Sequence, residues 1–252
     1  MAQPYPLNMT KNSGSFSFLT ESANIKKGYY LEKRSLDILL SSVLLILLSP
    51  AMLLIGILIR LDSSGPAIYS QKRVGCKYHW WKRGCRKEAR LFTFYKFRTM
   101  FQGADQQVHR DFIHAYIHND LEEMKNLQHG TCTVENQYKL SGDSRITRIG
   151  GFLRKTSLDE LPQLWNILKG DMSLVGPRPA IPYEVEMYEP WHLQRLCALP
   201  GLTGLWQVTA RNSATFDEMV QMDLGYIERQ SFLLDLVILI KTPLAVLDRR
   251  CN

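Results

Sequence analysis

From Ile38 to Ile59 the chain reads ILLSSVLLILLSPAMLLIGILI, with no charged side chain anywhere in the run. A straight helix rising about 1.5 Å per residue would cross the ~30 Å hydrocarbon core of a bilayer over that length. Any fold must therefore accommodate a membrane element. Pro50, preceded by Ser49, sits near the middle, where it removes a backbone donor and bends a helix, leaving two arms each about half a bilayer deep. The flanks carry Lys26, Lys27, Lys33 and Arg34 on one side and Arg60, Lys72 and Arg73 on the other, so no one-sided excess of cations orients a span. Basic charge on both sides suits a segment that enters and leaves by the same face; on physics alone a kinked span is the alternative. Asp37, at the entry to the run, calls for an interfacial position or a pairing with Lys33 or Arg34.

The remainder of the 252 residues, 45% apolar overall, suffices for one further domain with its own core. The stretch from Met1 to about Gly28 is rich in Ser, Asn, Thr and Gly and has no secretory pattern; it reads as a mobile polar tail. The formal net charge of +7 suits a polyanion: a membrane surface, a phosphate-bearing substrate or a nucleic acid. Cys76, Cys85, Cys132, Cys197 and Cys251 are odd in number and lack C-x-x-C spacing, which argues against a disulfide framework or zinc site and for a reducing compartment. Ala67 to Ser70 and Leu91 to Phe97 read as strands, with helix outweighing strand elsewhere. Phe232 to Ile240 is too short to span and is either a buried helix or one lying in the membrane interface. Gln102 to Leu127 places Phe112, Ile113, Tyr116, Ile117, Leu121 and Met124 at helical spacing, predicting an amphipathic helix or two. His114 and His118 share a face there, yet no third metal ligand is specified, so a solvated face is the simpler reading. Cys76 to Lys87 mixes aromatic and basic residues, as expected of a loop in lipid headgroups, with nucleic-acid binding as the alternative.

The densest chemistry runs from Asp143 to Pro179: DSRITRIGGFLRKTSLDELPQLWNILKGDMSLVGPRP. Asp159 and Glu160 are adjacent carboxylates followed by Pro162. A bland account exists, in which Asp159 caps a helix and Ser157 with Glu160 forms a capping box. Against it stand Arg145, Arg148, Arg154 and Lys155, and then Arg178 between Pro177 and Pro179, which restrict the backbone on both sides of its guanidinium. Carboxylates beside a phosphate-binding arginine suggest phosphoryl transfer, with a hard cation such as Mg²⁺ bridging carboxylate and diphosphate oxygens.

The chain also resembles the monotopic polyprenyl-phosphate glycosyl-1-phosphate transferases, from about Lys33 to Leu247. The resemblance is carried by KRSLD at Lys33 to Asp37, the Ser49-Pro50 break, YKFRTM at Tyr95 to Met100, LDELPQLWN with GDMSLVGPRP, and PGLTGLWQVTARN at Pro200 to Asn212. It implies Asp159 as the nucleophile that attacks the β-phosphate of a UDP-sugar, with an aspartyl phosphosugar as intermediate and UMP as product. Glu160 is implied as its acidic partner, both carboxylates holding Mg²⁺. Arg154 and Arg178 match phosphate-binding positions; Lys96, Arg98, Arg145 and Arg148 are further candidates, and Lys33 and Arg34 would meet headgroups or the polyprenyl phosphate.

The fold implied is α+β and mostly helical: a polar tail over 1–30, a re-entrant membrane helix-hairpin over 31–64, and a cytosolic catalytic domain over 65–252 with interfacial amphipathic helices. The implied partners are a UDP-sugar donor, undecaprenyl phosphate as acceptor and membrane lipids, with no nucleic acid and a homodimer left open. The implied place is the cytoplasmic face of the bacterial inner membrane. Many relatives carry membrane helices ahead of this region, where here a polar stretch stands, so the chain is either a short form or lacks an N-terminal part. Two rivals remain at this point. A two-carboxylate glycosidase fits poorly, because adjacent residues do not oppose each other across about 5–9.5 Å; the other is a membrane-tethered scaffold or nucleic-acid binder. The identity of the sugar is not legible.

Overall fold

The structure, a computed structural model, describes residues 8–12, 15–22, 27–81, 84–105, 107–127, 143–210 and 214–247. Cys132, Cys251, Lys82, Arg83 and the first seven residues of the polar stretch lie outside them. The apolar run belongs to a single helix, α1 (Lys27–Asp62), which stays helical through Pro50. Proline leaves the Ile46 carbonyl without its usual donor, and the Ser49 hydroxyl donates to that carbonyl at 2.9 Å.

The two ends of α1 are held by the rest of the protein. At the first end Lys33 Nζ donates to Asp235 at 2.7 Å and to the Val175 carbonyl at 2.8 Å, and Tyr29 also donates to Asp235. Asp37 accepts from the Ser173 hydroxyl and the Leu174 amide, inside the Asp143–Pro179 run, and Lys33 and Arg34 are the cations that act on it. At the far end Ile55 and Ile59 pack with Phe97 and Leu153, and Asp62 accepts from the Ile149 amide. Between these anchors Val43, Ile46, Leu47, Leu53 and Leu54 stay exposed.

Two long strands, β3 (Ile68–Trp81) and β4 (Gly84–Phe97), form an antiparallel hairpin in the register Ile68 opposite Phe97. In the aromatic-basic run, residues 76–81 and 84–87 are therefore strand where a loop was expected. Where a polar tail was expected, β1 (Asn8–Asn12) and β2 (Ser15–Ser22) extend the sheet in the order β1-β2-β4-β3. β2 reaches β4 only over Cys85 to Glu88. Farther along β4, the side chain of Asn166 takes the open edge, accepting from the Tyr95 amide and donating to the Thr93 carbonyl. The side-chain amide thus stands in for a neighbouring strand and docks α5 (Gln163–Lys169) against the sheet.

Next come α2 (Gln107–Ile117) and α3 (Leu121–Leu127), then α4 (Arg148–Thr156), α6 (Pro182–Glu186), α7 (Leu205–Thr209), α8 (Phe216–Arg229) and α9 (Phe232–Leu247). The spacing read for α2 and α3 holds: Phe112, Ile113, Tyr116, Ile117 and Met124 are buried against Trp206, Phe216, Met219 and Val220. Helix α9 buries Asp235 and Ile238 and leaves Leu233, Val237, Ile240, Leu244 and Leu247 exposed.

A short parallel pair, β5 (Ser173–Val175) and β6 (Gly201–Thr203), joins two of the sequence motifs. A Cβ at Gly176 would lie 2.3 Å from the Leu199 carbonyl oxygen, and one at Gly201 would meet the Gly176 backbone. The glycines of VGPRP and PGLTG are thus what lets the two segments touch backbone to backbone. That contact fixes the start of the Pro177-Arg178-Pro179 segment, whose far side is tied to β3 through the Val74 amide to Ala180 and Arg73 Nη1 to the Pro179 carbonyl.

Candidate active site

Asp159 and Glu160 sit on a single 3₁₀ turn, Leu158–Glu160, between α4 and α5. Helix α4 starts on Thr147, whose hydroxyl accepts from the Gly150 amide, and ends at Ser157 in the left-handed conformation with φ of 56°. Ser157 makes no side-chain cap, and α5 begins after Pro162. The helix-capping account of Ser157, Asp159 and Glu160 therefore does not hold: Ser157 ends one helix, and the carboxylates lie on the turn before the next. Gly150 lets α4 press on the strand end, because a Cβ there would lie 2.1 Å from the Thr99 carbonyl oxygen.

The turn borders a cavity of about 450 Å³, a size typical of small-molecule sites. Lys96, Arg98, Arg145, Arg154 and Arg178 line the same cavity. Segments up to some eighty residues apart in sequence are thus gathered around one carboxylate pair. Burial pushes the Lys96 ammonium down to about 8, with Asp159 opposing that fall and Arg73, Arg154 and Arg178 reinforcing it. Burial likewise works against the charge on Arg154, and Asp159 is again its foremost anionic neighbour. Arg154 Nη1 is buried with no hydrogen-bond partner among the described residues. A buried guanidinium nitrogen in that condition is costly and is suited to an anionic ligand that completes its bonding.

Arg145 is differently placed. It grips Asp143 with Nε at 2.8 Å and Nη2 at 2.7 Å. Burial pushes the Asp143 carboxyl up, but the bonds from Arg145 outweigh it and hold the group below the usual carboxylate range. Arg145 also donates to the Asp105 carbonyl, closing the cavity rim. Arg98 lines the cavity while spending its guanidinium on the end of α1, donating to the carbonyls of Ile59, Ser63 and Ser64; a cation there suits the negative end of the helix.

The remaining three predicted residues do not line the cavity. Arg148 is exposed at the first turn of α4. Lys33 is 5% exposed and pairs with Asp235, and Arg34 donates to the Ile167 and Leu168 carbonyls at the end of α5. Their geometry is that of structural anchors for α1, in place of the headgroup or polyprenyl-phosphate contacts expected of them.

Residues that the sequence did not single out for the site also border it: Arg73, whose Cζ lies 5.1 Å from the Phe94 ring centroid, His109, Asp143, Gln163, Tyr183 and Glu184. The regular spacing of α2 contained a signal for His109, since it falls on the polar flank of an otherwise buried helix; no such pattern marks Arg73 or Tyr183.

As for a cation, no group of three or more His, Cys, Asp or Glu side chains converges among the described residues. The adjacent carboxylates on one turn nevertheless fit the manner in which Mg²⁺ is commonly held, by one or two protein carboxylates with substrate phosphate oxygens supplying further positions.

The family model described as bacterial sugar transferase matches residues 28–249. The chain is 41% identical over 217 residues to an undecaprenyl-phosphate galactose phosphotransferase of Salmonella typhimurium, a match covering 86% of this chain and 40% of that protein. It is 40% identical over 234 residues to the galactosyl transferase CpsE of Streptococcus agalactiae serotype III, covering 92% of this chain and 46% of the relative. The chain thus spans less than half the length of these two relatives. A third, the exopolysaccharide production protein ExoY of Rhizobium meliloti, is 37% identical over 239 residues, with 94% of this chain and 95% of that protein covered.

Proposed function

We propose, since this chain belongs to the bacterial sugar transferase family, that it moves a sugar-1-phosphate from a UDP-sugar to undecaprenyl phosphate, releasing UMP, as the first membrane step of a surface-glycan assembly. The observation that carries this reading is the convergence of Lys96, Arg154 and Arg178 with Asp159 and Glu160 in one cavity. Such a site can neutralise a diphosphate while presenting an anionic nucleophile to it.

In the proposed sequence of steps, an Asp159 carboxylate oxygen attacks the β-phosphorus of the donor. The bond from that phosphorus to the bridging oxygen breaks, and UMP leaves with the electron pair. The acceptor's phosphate oxygen then attacks the same phosphorus, forming the lipid diphosphosugar and restoring Asp159. Two moderate displacements replace one difficult one. Arg154 and Arg178 hold the phosphoryl oxygens, Lys96 balances the charge on Asp159, and Glu160 orients the incoming acceptor. Asp159 and Glu160 would hold Mg²⁺ together with donor oxygens, and the ion would supply charge neutralisation at the diphosphate.

Membrane attachment belongs to the same proposal. The exposed apolar middle of α1, with both its ends packed on the catalytic domain, supports a segment that dips into the bilayer and returns to the face it left. The exposed apolar side chains of α9 support an interfacial helix beside it. An acceptor phosphate stays at headgroup level, so a shallow anchor keeps Asp159 at that height, on the cytoplasmic face of the inner membrane. Cysteines placed at Lys27 and at Asp62 should both react with an impermeant thiol reagent from the cytoplasmic side only; labelling of the two sites from opposite sides would establish a span instead.

The function is tested by UMP release from detergent-purified protein with Mg²⁺ and undecaprenyl phosphate across a panel of UDP-sugars. Release with a particular sugar is expected, and silence with all of them would contradict the reading. Because protonated Lys96 supplies charge only below its pKa of about 8, kcat/KM for the donor should fall as pH rises through that value. Lys96→Arg should carry the alkaline limb upward, and a wild-type profile flat across the range would remove Lys96 from donor binding.

A further inference from the structure

His109 and Tyr183 meet on the cavity wall, from helices α2 and α6, with His109 Nδ1 2.7 Å from the Tyr183 hydroxyl. Their rings stand edge to face, at 6.4 Å between centroids and 81° between planes. Both side chains border the cavity that holds Asp159. We propose that this pair forms the contact for a hydroxyl group on the carbohydrate part of the donor. The inference rests on the transferase reading above and extends it to how the donor is recognised.

The pair is held in place from behind. One face of α2 is buried in the cluster around Trp206 and Phe216, against which Tyr183 also packs. The Arg110 guanidinium lies 5.1 Å from the centroid of the Tyr183 ring. Side chains fixed in this way lose little freedom when a ligand arrives, which is the condition for a discriminating hydrogen bond. Among the described residues His109 has this one hydrogen bond, made by Nδ1, so Nε2 remains to meet a ligand.

The chemical class of that ligand follows from charge. The ionisable groups that act on His109 are Arg73, Lys96, Arg145 and Arg178, all cations; with burial as the larger cause, they hold the imidazole down to about 4. At neutral pH it carries no charge and adds no ionic attraction for phosphate, for which Lys96, Arg154 and Arg178 are already gathered about Asp159. An uncharged imidazole and a phenol linked to each other present one group that can donate and one that can accept. A sugar hydroxyl, itself both donor and acceptor, matches them, whereas a phosphate oxygen at neutral pH can only accept. The cavity, at about 450 Å³, exceeds the need of a diphosphate and leaves room for carbohydrate.

Two carbohydrates are available in a UDP-sugar, the transferred sugar and the ribose. The test is steady-state UMP release by the full chain in detergent, across UDP-sugars differing at single hydroxyls, for wild type, Tyr183→Phe and His109→Ala. Inhibition by UMP is measured alongside. Tyr183→Phe removes one hydroxyl and keeps the ring, so it preserves packing even if His109→Ala loosens α2. Loss of one such hydrogen bond should lower kcat/KM for the preferred donor about tenfold. If the contact is to the transferred sugar, discrimination among donors narrows while UMP inhibition is unchanged. If it is to the ribose, UMP inhibition weakens by the same factor and discrimination stays. Unchanged kinetics in both variants, or an equal fall in kcat for every donor with KM and UMP inhibition untouched, would overturn the proposal. Silence of the wild-type chain with every UDP-sugar would instead contradict the transferase reading, and this inference with it.

Discussion

Asp159→Asn should abolish UMP release, lowering it by about four orders of magnitude or more, as removal of a covalent nucleophile does in other enzymes. The substitution is informative because asparagine is nearly isosteric and caps helices as well as aspartate does. A residue kept for the turn between α4 and α5 would tolerate it. The Leu158–Glu160 turn should therefore persist, and thermal unfolding should be nearly unchanged, while the reaction stops. Glu160→Gln should be milder, since its neighbour keeps the attacking oxygen. Full activity of the Asp159→Asn protein would return the carboxylate pair to a structural role and leave the cationic cavity in need of another explanation.

Lys33→Met should destabilise the protein by about 3 kcal/mol, the usual consequence of leaving one member of a buried ion pair without its partner. Lys33 and Asp235 are 5% and 1% exposed, and the Asp235 carboxylate also accepts from Tyr29 and Tyr226. Those hydroxyls remain in the variant and keep the loss from being larger. Removing both charges with Lys33→Met and Asp235→Leu should recover much of the stability, because an apolar pair of similar volume meets no desolvation cost. Chemical unfolding in detergent measures both. If Lys33 instead served as a phosphate or headgroup ligand, stability would hold and the KM for the lipid acceptor would rise.

The contrast between these two residues indicates what could be read directly from the chain. Asp159 and Glu160 stand in a run whose cations are close in sequence, and the cavity gathers Arg145, Arg154 and Arg178 from that run and Lys96 from the strand end. Basic residues elsewhere looked alike in sequence but took different work. Arg34 and Arg98 donate to the carbonyl ends of α5 and α1, and Lys33 is buried with Asp235. A cation's sequence neighbours do not disclose whether a helix terminus or a buried carboxylate lies within its reach.

The helices were legible where one face is apolar. Phe112, Ile113, Tyr116 and Ile117 predicted α2, yet the periodicity did not tell that the flank carrying His109 would border the site. Asn166 sat inside the most specific motif, but its work, closing the open edge of β4, depends on where β2 stops pairing. The strands β1 and β2 carry polar residues common in loops, and their hydrogen bonds come from pairing β1 with β2 and β2 with β4, which no local propensity records. Likewise Gly176 and Gly201 are unremarkable alone; each is explained by the other's backbone.

In the proposed mechanism the sugar phosphate passes through Asp159. The decisive experiment mixes the purified chain with the accepted UDP-sugar and Mg²⁺ in the absence of undecaprenyl phosphate and measures intact-protein mass and released UMP. A mass gain equal to one sugar phosphate, matched by one UMP per chain and mapped to the peptide bearing Asp159, is the predicted result; adding the acceptor should discharge it. Efficient transfer to the acceptor in single-turnover mixing, with no adduct trapped at any time and no UMP formed before the acceptor is added, would contradict it and establish direct displacement.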